Sequence, residues 1–376
     1  MIYRTLGKTG TKVSALGFGA MRLPIKATEA EVDEPATTEM LRWAIDQGVN
    51  YVDTAYVYHG GNSEVAVGKA LADGYRQRVN LATKLPVWSV ERRDDCDRLL
   101  DEQLVRLQTD HIDFYLLHCL QKKSWRKMRD LGVLQWAEDA RADGRIRHIG
   151  FSFHDDFDTF TEIVDGYDWS FCQIQYNLVN EDVQAGTKGL RYAAGKGLGV
   201  VVMEPLFGGT LANPPPPVRE IWDAGPAGSS PADVALRWLW NKPEVSLVLS
   251  GMSKLEQVEQ NVASACRSGI GCLTEAEAAL AASVQEKYRE LSPIPCTKCG
   301  YCMPCPNGVH IPLDFEFFNN ATVFQGSSVT LCRTLYNTLP ETQRATACVQ
   351  CGACEERCPQ QIPIREKLRE VQEQFK

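Results

Sequence analysis

Short runs of apolar, often β-branched residues alternate with longer stretches whose apolar positions recur every three or four residues, and this alternation repeats over the first 270 residues or so. Residues 2–6 and 12–14, joined through Gly7 and Gly10, predict a small hairpin able to plug the floor of a barrel. Strands are predicted at 15–21, 49–53, 79–84, 111–118, 145–152, 171–175, 199–204 and 245–250. Helices are predicted at 38–47, 63–71, 93–107, 132–141, 156–164, 183–196, 231–240 and 254–265. In the first helix Met40, Leu41, Ala44 and Ile45 share one face, and Gly48 stops it. Eight strand–helix units in series predict an α/β fold, a (β/α)8 TIM barrel, over residues 1–274. The Asn213-Pro-Pro-Pro-Pro217 run after the seventh strand reads as a long loop, either a stiff spacer or a lid. Residues 275–292 form an Ala- and Glu-rich helical linker, and residues 293–376 a second, smaller, mainly helical domain holding two dense cysteine clusters.

Composition narrows the class. With 376 residues, 44% hydrophobic and 23% charged, the chain can bury a full barrel core and a smaller unit besides. A net charge of −8 argues against nucleic acid as a partner, because phosphate binding draws on Lys and Arg. No apolar run reaches the length of a membrane span, and the first residues lack the apolar core of a signal peptide, so a cytoplasmic protein is expected. Fourteen cysteines in that compartment point to metal or redox chemistry rather than disulfides.

Active sites of such barrels lie at the carboxyl ends of the strands. Asp53 ends the second predicted strand and Tyr58 follows in its loop; Lys84 ends the third and His118 the fourth. Four ionisable groups from three consecutive strand ends thus meet at one mouth. A lone buried Asp or Lys is more often a paired core charge, but four in register are hard to read that way. Reducing a carbonyl needs hydride at carbon and a proton at oxygen, and an ordinary phenol of pKa about 10 releases its proton reluctantly. In this reading Lys84 lowers the pKa of Tyr58, Asp53 keeps Lys84 charged and aimed, and His118 hydrogen-bonds the substrate oxygen. His59 is read as a polar loop or pocket residue and Tyr56 as packing.

Asp53-Thr-Ala with Tyr58, Asn62-Ser63-Glu64, Ala82-Thr-Lys84, Asp113-Phe-Tyr-Leu-Leu-His118, Gly150-Phe-Ser152 and Gln173 together resemble the aldo-keto reductases. The resemblance covers roughly the first 270 residues and implies the same tetrad, Asp53, Tyr58, Lys84 and His118, as well as a nicotinamide cofactor. It further implies that Ser152 and Gln173 grip the nicotinamide carboxamide, although Phe153 replaces the usual Asn, and that Met203 stands where an aromatic ring often stacks. Ser250, Gly251, Gln257 and Asn261 align with the phosphate clamp, and backbone amides of Gly208, Gly209 and Gly251 can cradle a pyrophosphate. Gly251 and Gln257 replace the basic residues that hold a 2′-phosphate, so NADH is expected to serve at least as well as NADPH. Gly17-Phe-Gly-Ala-Met-Arg22 is no dinucleotide fingerprint, because its third Gly is missing and no helix opens there.

The tail carries Cys296, Cys299, Cys302 and Cys305 before Pro306, then Cys348, Cys351, Cys354 and Cys358 before Pro359. The second run has the C-x2-C-x2-C-x3-C-P spacing of bacterial-type ferredoxins; the first is one residue tighter before its last cysteine. A Gly after the second cysteine of each run allows a tight turn. A pair of zinc sites is the competing reading, but the repeated third cysteine and terminal Cys-Pro favour two [4Fe–4S] clusters in a module similar to the α-helical ferredoxins. In two-cluster ferredoxins the fourth cysteine serves the other cluster, which implies Cys296, Cys299, Cys302 with Cys358, and Cys348, Cys351, Cys354 with Cys305. Cys96, Cys119, Cys172, Cys266, Cys272 and Cys332 lack such spacing and read as small buried hydrophobes.

Two functions follow. One is an iron–sulfur aldo-keto reductase that interconverts a small carbonyl compound and its alcohol with NAD(P)H. The other is a ferredoxin-type electron carrier whose barrel is a docking scaffold for a partner protein. Hydride transfer moves two electrons whereas each cluster moves one, and no flavin motif bridges them.

Overall fold

Gly7 and Gly10 take left-handed backbone angles, φ +49° and +73°, and turn the chain between β1 (Tyr3–Thr5) and β2 (Lys12–Ser14), which pair antiparallel with Tyr3 opposite Ser14. A Cβ on Gly7 would lie 2.1 Å from the backbone nitrogen of Gly199, so only glycine lets this turn seat. Leu6 and Val13, both fully buried, close the barrel floor as expected. The computed structural model describes all residues except 29, 183, 227, 229, 292, 297–299, 324–326 and 359.

Eight parallel strands then close a barrel: β3 (Leu16–Gly19), β4 (Tyr51–Asp53), β5 (Asn80–Leu85), β6 (Ile112–Leu120), β7 (Ile146–Phe153), β8 (Phe171–Gln175), β9 (Gly199–Met203) and β10 (Leu247–Gly251), with β10 pairing back onto β3. The fold is a (β/α)8 TIM barrel, the predicted class. Successive residues of each strand face two separate cores. Tyr51, Ala82, Phe114, Leu116, Phe171, Val201, Leu247 and Leu249 fill the lumen with Leu6 and Val13, while their sequence neighbours pack outward beneath the helices.

Through residue 266 the helices are α1 (Glu34–Asp46), α2 (Asn62–Ala70), α3 (Asp94–Leu107), α4 (Lys122–Asp130), α5 (Val133–Ala142), α6 (Phe157–Asp165), α7 (Gly186–Gly195), α8 (Pro216–Asp223), α9 (Pro231–Trp240) and α10 (Leu255–Cys266). Helix α1 starts four residues earlier than its apolar periodicity suggests, because Asp33 accepts from the Ala36 amide at 3.2 Å and Pro35 sits in the first turn. Helix α4 escaped the sequence pattern: only Trp125 and Met128 are buried, and a Gln121–Ser124 capping box starts it. The proline run is not a loop throughout. Pro216 and Pro217 occupy the first turn of α8, where a missing amide hydrogen costs nothing.

Below the lumen a buried carboxylate ties several elements together. Asp113 accepts from the Leu81 amide at 2.9 Å and pairs with Arg76 at 2.9 Å and Arg147 at 2.8 Å.

The chain divides into two units, Met1–Gly208 with Ala232–Thr274, and Gly209–Pro231 with Glu275–Lys376. This differs from the expected boundaries. Segment 209–231 and the helix α11 (Glu275–Leu291) belong with the tail, since Tyr288 donates to the Thr210 carbonyl at 3.1 Å and Leu280 packs where a Gly225 Cβ would lie. The second unit adds α12 (Ile311–Val323), α13 (Ser327–Thr338) and α14 (Ile364–Phe375) around a core that includes Ile311, Phe315, Tyr336, Leu368 and Phe375. No helix among the described residues is long and apolar enough to cross a membrane.

Gly68 tests how closely α2 and α3 approach. A Cβ there would lie 2.6 Å from the Arg106 carbonyl oxygen and 2.8 Å from the Leu107 carbonyl carbon. Helix propensity alone makes Gly68→Ala stabilising by about 1 kcal/mol. The backbone clash reverses the sign, and a net loss of about 1–3 kcal/mol is expected, read as a lower midpoint of thermal unfolding.

Candidate active site

Asp53 is the last residue of β4 and shares the lumen face with Tyr51 two residues before it. Lys84, two residues after lumen-facing Ala82 on β5, donates to Asp53 Oδ1 at 2.6 Å and to the Thr54 carbonyl at 2.8 Å, and its Nζ lies 3.4 Å from the Tyr58 hydroxyl. The ammonium also stands 4.9 Å from the Tyr58 ring centre. Tyr58 is aimed by a tight turn in which His59, Gly60 and Gly61 all have positive φ. Ser63 pins that turn by donating to the Ala20 carbonyl at 2.9 Å and sharing a 2.8 Å hydrogen bond with Thr54. Fully buried Glu64 anchors the next turn, accepting from Thr83 at 2.6 Å and Gln103 at 2.7 Å.

His118 keeps the lumen-facing parity of Phe114 and Leu116 on β6. Directly after it the β6–β7 pairing skips from Leu117 to Leu120, and Cys119 takes φ +54°. This bulge sends Leu120 to the outer core while His118 stays in the mouth. The His118 ring lies 6.0 Å from Tyr58, edge on, and 5.1 Å from Trp88, which is 49% exposed. The four predicted residues are therefore assembled on one wall. His59 is buried, and Tyr56 packs with its hydroxyl on Glu102 at 2.9 Å and the Arg106 guanidinium over its ring.

Burial governs the electrostatics. It pushes Asp53 up, only partly offset by Lys84. It pulls Lys84 down, but the charges of Asp53 and Tyr58 outweigh it and the net shift is upward. Tyr58 is pushed up to about 12: burial exceeds the downward pull of Lys84, and Asp53 and Cys119 add to the rise. The expected lowering of the phenol by Lys84 is thus present only as the smaller of two opposed effects. His118 is held well below its ordinary value by burial, then by Lys84 and His154, so it is a neutral imidazole.

The residues expected at the cofactor fall into three groups. Ser152, Gln173 and Met203 stand at the barrel mouth; Ser152 Oγ accepts from the Cys119 amide at 2.8 Å, and Gln173 Nε2 reaches Met203 Sδ at 3.5 Å. Gln173 Oε1 is buried without a hydrogen-bond partner, an acceptor suited to a carboxamide N–H. Gly208 and Gly209 both have left-handed φ, with no atom within 4 Å of a Cβ at either, and Gly251 is walled by Arg22. Ser250 and Asn261 are buried against each other at 3.1 Å, and Gln257 Oε1 accepts from the Ser253 amide at 2.9 Å before α10. The mouth also holds residues the sequence reading passed over: Arg22, His154, Gln175, Gln184 and Glu204. Strand parity could have found two of them, since Gln175 is two residues beyond Gln173 and His154 two beyond Ser152. Glu204 has φ +54° and is exposed, and the charge of Arg22 favours its ionised form.

In the second unit Cys305, Cys348, Cys351 and Cys354 line one cavity with Gly352 and Arg365. Cys296, Cys302 and Cys358 line another with Gly300 and Phe315, and Ile311 of α12 borders both. Gly300 and Gly352 are left-handed, φ +77° and +82°, the turn expected of them. Cys299 and Pro359 lie outside the described residues. Among the described residues no three His, Cys, Asp or Glu side chains close on a single-ion position. Of the remaining cysteines, Cys96, Cys172 and Cys332 are buried as expected, but Cys119 and Cys272 are half-buried and Cys266 is exposed. Cys266 ends α10, and Cys119 sits in the β6 bulge with φ +54°.

The family model described as "Aldo/keto reductase family" matches residues 15–268, and one described as "4Fe-4S dicluster domain" matches residues 295–362. The chain is 30% identical to the L-galactose dehydrogenase of Arabidopsis thaliana over 280 residues, 69% of this chain and 86% of that one. It is 29% identical to the uncharacterized oxidoreductase YrpG of Bacillus subtilis, over 56% of this chain and 68% of that one. Among solved structures it is similar to aldo-keto reductase AKR11C1 from Bacillus halodurans in its holo form, with 26% identity, a TM-score of 0.64 and coverage of 76% and 96%. An aldo/keto reductase from Klebsiella pneumoniae in complex with NADP and acetate gives 26% identity, a TM-score of 0.61 and coverage of 75% and 95%.

The depressed His118 has a pH signature. Its folded pKa lies below the unfolded value of about 6.5, so its contribution to stability is complete above that pH and is lost as pH falls toward the folded pKa. Between about pH 7 and pH 5 the wild type should therefore lose more stability in urea unfolding than His118→Gln does.

Proposed function

The chain belongs to the aldo/keto reductase family, and from that premise we propose that it is an iron–sulfur oxidoreductase interconverting a small carbonyl compound and its alcohol with NAD(P)H. The observation that carries this reading is the buried Lys84–Asp53 pair set 3.4 Å from the Tyr58 hydroxyl, with the neutral His118 ring 6.0 Å from that of Tyr58. A carrier protein using its barrel only for docking has no need of an ammonium buried at the strand ends, where desolvation is costly.

When bound, the nicotinamide supplies hydride to the carbonyl carbon. The chain's own groups manage the oxygen. Tyr58, pushed up to about 12, is protonated at neutral pH and so holds the proton the developing alkoxide takes. The Lys84 ammonium stabilises the phenolate left behind, and Asp53 keeps that ammonium charged and pointed at Tyr58. A neutral imidazole at His118 donates one N–H to the carbonyl oxygen and so polarises it without adding a second cation to the mouth. The Trp88 ring, 5.1 Å from that of His118, covers one side of the imidazole.

Ser152, Gln173 and Met203 would hold the nicotinamide end, and Gly208, Gly209, Ser250, Gly251, Gln257 and Asn261 the phosphate end. Gln257 is occupied in capping Ser253 and Gly251 carries no side chain, which supports NADH serving at least as well as NADPH. Arg22, packed against Gly251, is one cation beside that end, and Lys254 at the start of α10 is another. Two [4Fe–4S] clusters would be held as cluster one by Cys296, Cys299, Cys302 and Cys358, and cluster two by Cys305, Cys348, Cys351 and Cys354. Such clusters exchange single electrons with a partner protein or brace the tail. Cysteine thiolates stay reduced and free to ligate iron in the cytoplasm, where we place the protein.

Tyr58→Phe should bind either nicotinamide as the wild type does, measured by calorimetry with NADH and NADPH, yet lose about 10²–10⁴-fold in carbonyl reduction. Undiminished turnover removes Tyr58 from its role, and a clear preference for NADPH in the same titrations removes the proposed cofactor choice.

The cluster assignment crosses the tail, because the two cavities each draw cysteines from both runs. In anaerobically purified protein, Cys358→Ala should abolish the EPR signal of the cluster built on Cys296 and Cys302. Cys305→Ala should abolish that of its neighbour. The opposite pattern means that each run ligates its own cluster.

A further inference from the structure

Beside His118 the barrel mouth carries a wall of neutral polar groups that the reduction chemistry does not use. On β8, Phe171 faces the lumen, packing 5.2 Å from Phe114, so Gln173 and Gln175 face it too at successive heights. Gln175 is 1% exposed. Its Oε1 accepts from Gln184 Nε2 at 2.7 Å, and Gln184 Oε1 meets His154 Nδ1 at 3.2 Å. Gln175 Nε2 has no hydrogen-bond partner. Exchanging oxygen and nitrogen within both amides leaves the count unchanged, so one polar atom of Gln175 stays unsatisfied either way. A buried amide hydrogen left unmade is costly, and a site that tolerates one gains when a ligand supplies the acceptor.

The neighbours restrict what that ligand can be. His154 is close enough to His118 for their charges to oppose, and burial pulls its own pKa down to about 4, so both imidazoles are neutral. Of the cations at the mouth, Lys84 is already committed to Asp53, Thr54 and Tyr58, and Arg22 packs against Gly251 with Glu204 as its counter-charge. The basic residues of α4, Lys122, Lys123, Arg126 and Lys127, line a separate surface recess that includes none of these groups. An ionised group next to the carbonyl would thus find no counter-ion on this wall, and an apolar one would strand the amide of Gln175. Trp88, exposed and set against His118, offers the flat face on which C–H groups of a hydroxylated chain pack.

We propose that Gln175, held by Gln184 and His154, is a substrate-recognition subsite that selects a carbonyl compound bearing neutral hydroxyl groups beside the reacting carbon. The proposal rests on the carbonyl-reductase reading and deepens it. Gln175 contacts the substrate hydroxyl; Gln184 is a positioning residue that fixes the Gln175 amide plane.

The test compares three probes reduced by the holoprotein with NADH and with NADPH: glyceraldehyde, propanal and glyoxylate. The wild type should prefer glyceraldehyde over both others in kcat/KM by about tenfold or more, since a site built to pair a hydroxyl rejects the analogue without it. In Gln175→Leu the glyceraldehyde-to-propanal ratio should fall toward one. In cofactor-free protein, saturation-transfer NMR should show glycerol contacts weakening in the same variant relative to 1-propanol. Should Gln175→Leu not fold, Gln184→Leu should lower the same ratio through KM. A wild type that reduces propanal or glyoxylate as well as glyceraldehyde, or a Gln175→Leu ratio equal to wild type, overturns the subsite alone. A folded, cluster-loaded wild type that reduces none of the three with either nicotinamide overturns the carbonyl-reductase reading and the subsite with it.

Discussion

A buried ammonium is the constraint on which the rest of the mouth depends. Lys84 is fully buried, and desolvation opposes its charge; Asp53 at 2.6 Å and Tyr58 together outweigh that penalty and keep it cationic. Once the pair is in place, the surrounding groups have little freedom. Tyr58 must come within reach of Nζ, which takes a turn of three positive-φ residues pinned by Ser63 and Thr54. His118 cannot also be charged so near Lys84, and it is not. The proposed proton donor, the stabiliser of its conjugate base and the neutral hydrogen-bond donor would all follow from one act of burial.

Strand parity converts that constraint into a site. Because alternate residues point into the lumen, Tyr51 fills the barrel while Asp53 reaches its mouth, and Ala82 and Lys84 repeat the pattern one strand over. On β6 parity alone would send residue 120 inward, and the bulge at Cys119 prevents it. The same rule on β8 stacks Phe171, Gln173 and Gln175 along one line, from apolar plug through unpaired amide oxygen to unpaired amide nitrogen. Glycine acts where backbones meet: Gly7 against Gly199 at the floor, Gly68 against α3.

The tail follows a different logic. Its apolar core is small, and its cysteines line two cavities bordered by Ile311 of α12. Each cavity takes thiols from segments more than 40 residues apart, so a cluster bound there would staple the chain as a long disulfide loop does, by restricting the unfolded state. Electron counting remains the chemical boundary between the units. Hydride carries two electrons and a cluster one, so whatever links the two activities must change that number.

What the sequence by itself determined is what period and spacing encode. The eight strand–helix units, the floor hairpin, the four groups at three strand ends and the cysteine runs can all be read from local order, because each depends on neighbours within a few residues. Other features depend on partners far along the chain. Helix α4 has two buried apolar anchors and no period to betray it, and Pro216 begins a helix that the proline run itself argues against. Segment 209–231 joins the tail unit through Tyr288 and Leu280, about 70 residues later, and the pKa of Tyr58 is set more by burial than by the lysine that spacing puts beside it. Only the closed barrel brought Gln175, Gln184 and His154 up to His118. Periodicity records which face a residue occupies; which other face it meets, and how much water is left between them, is decided by packing.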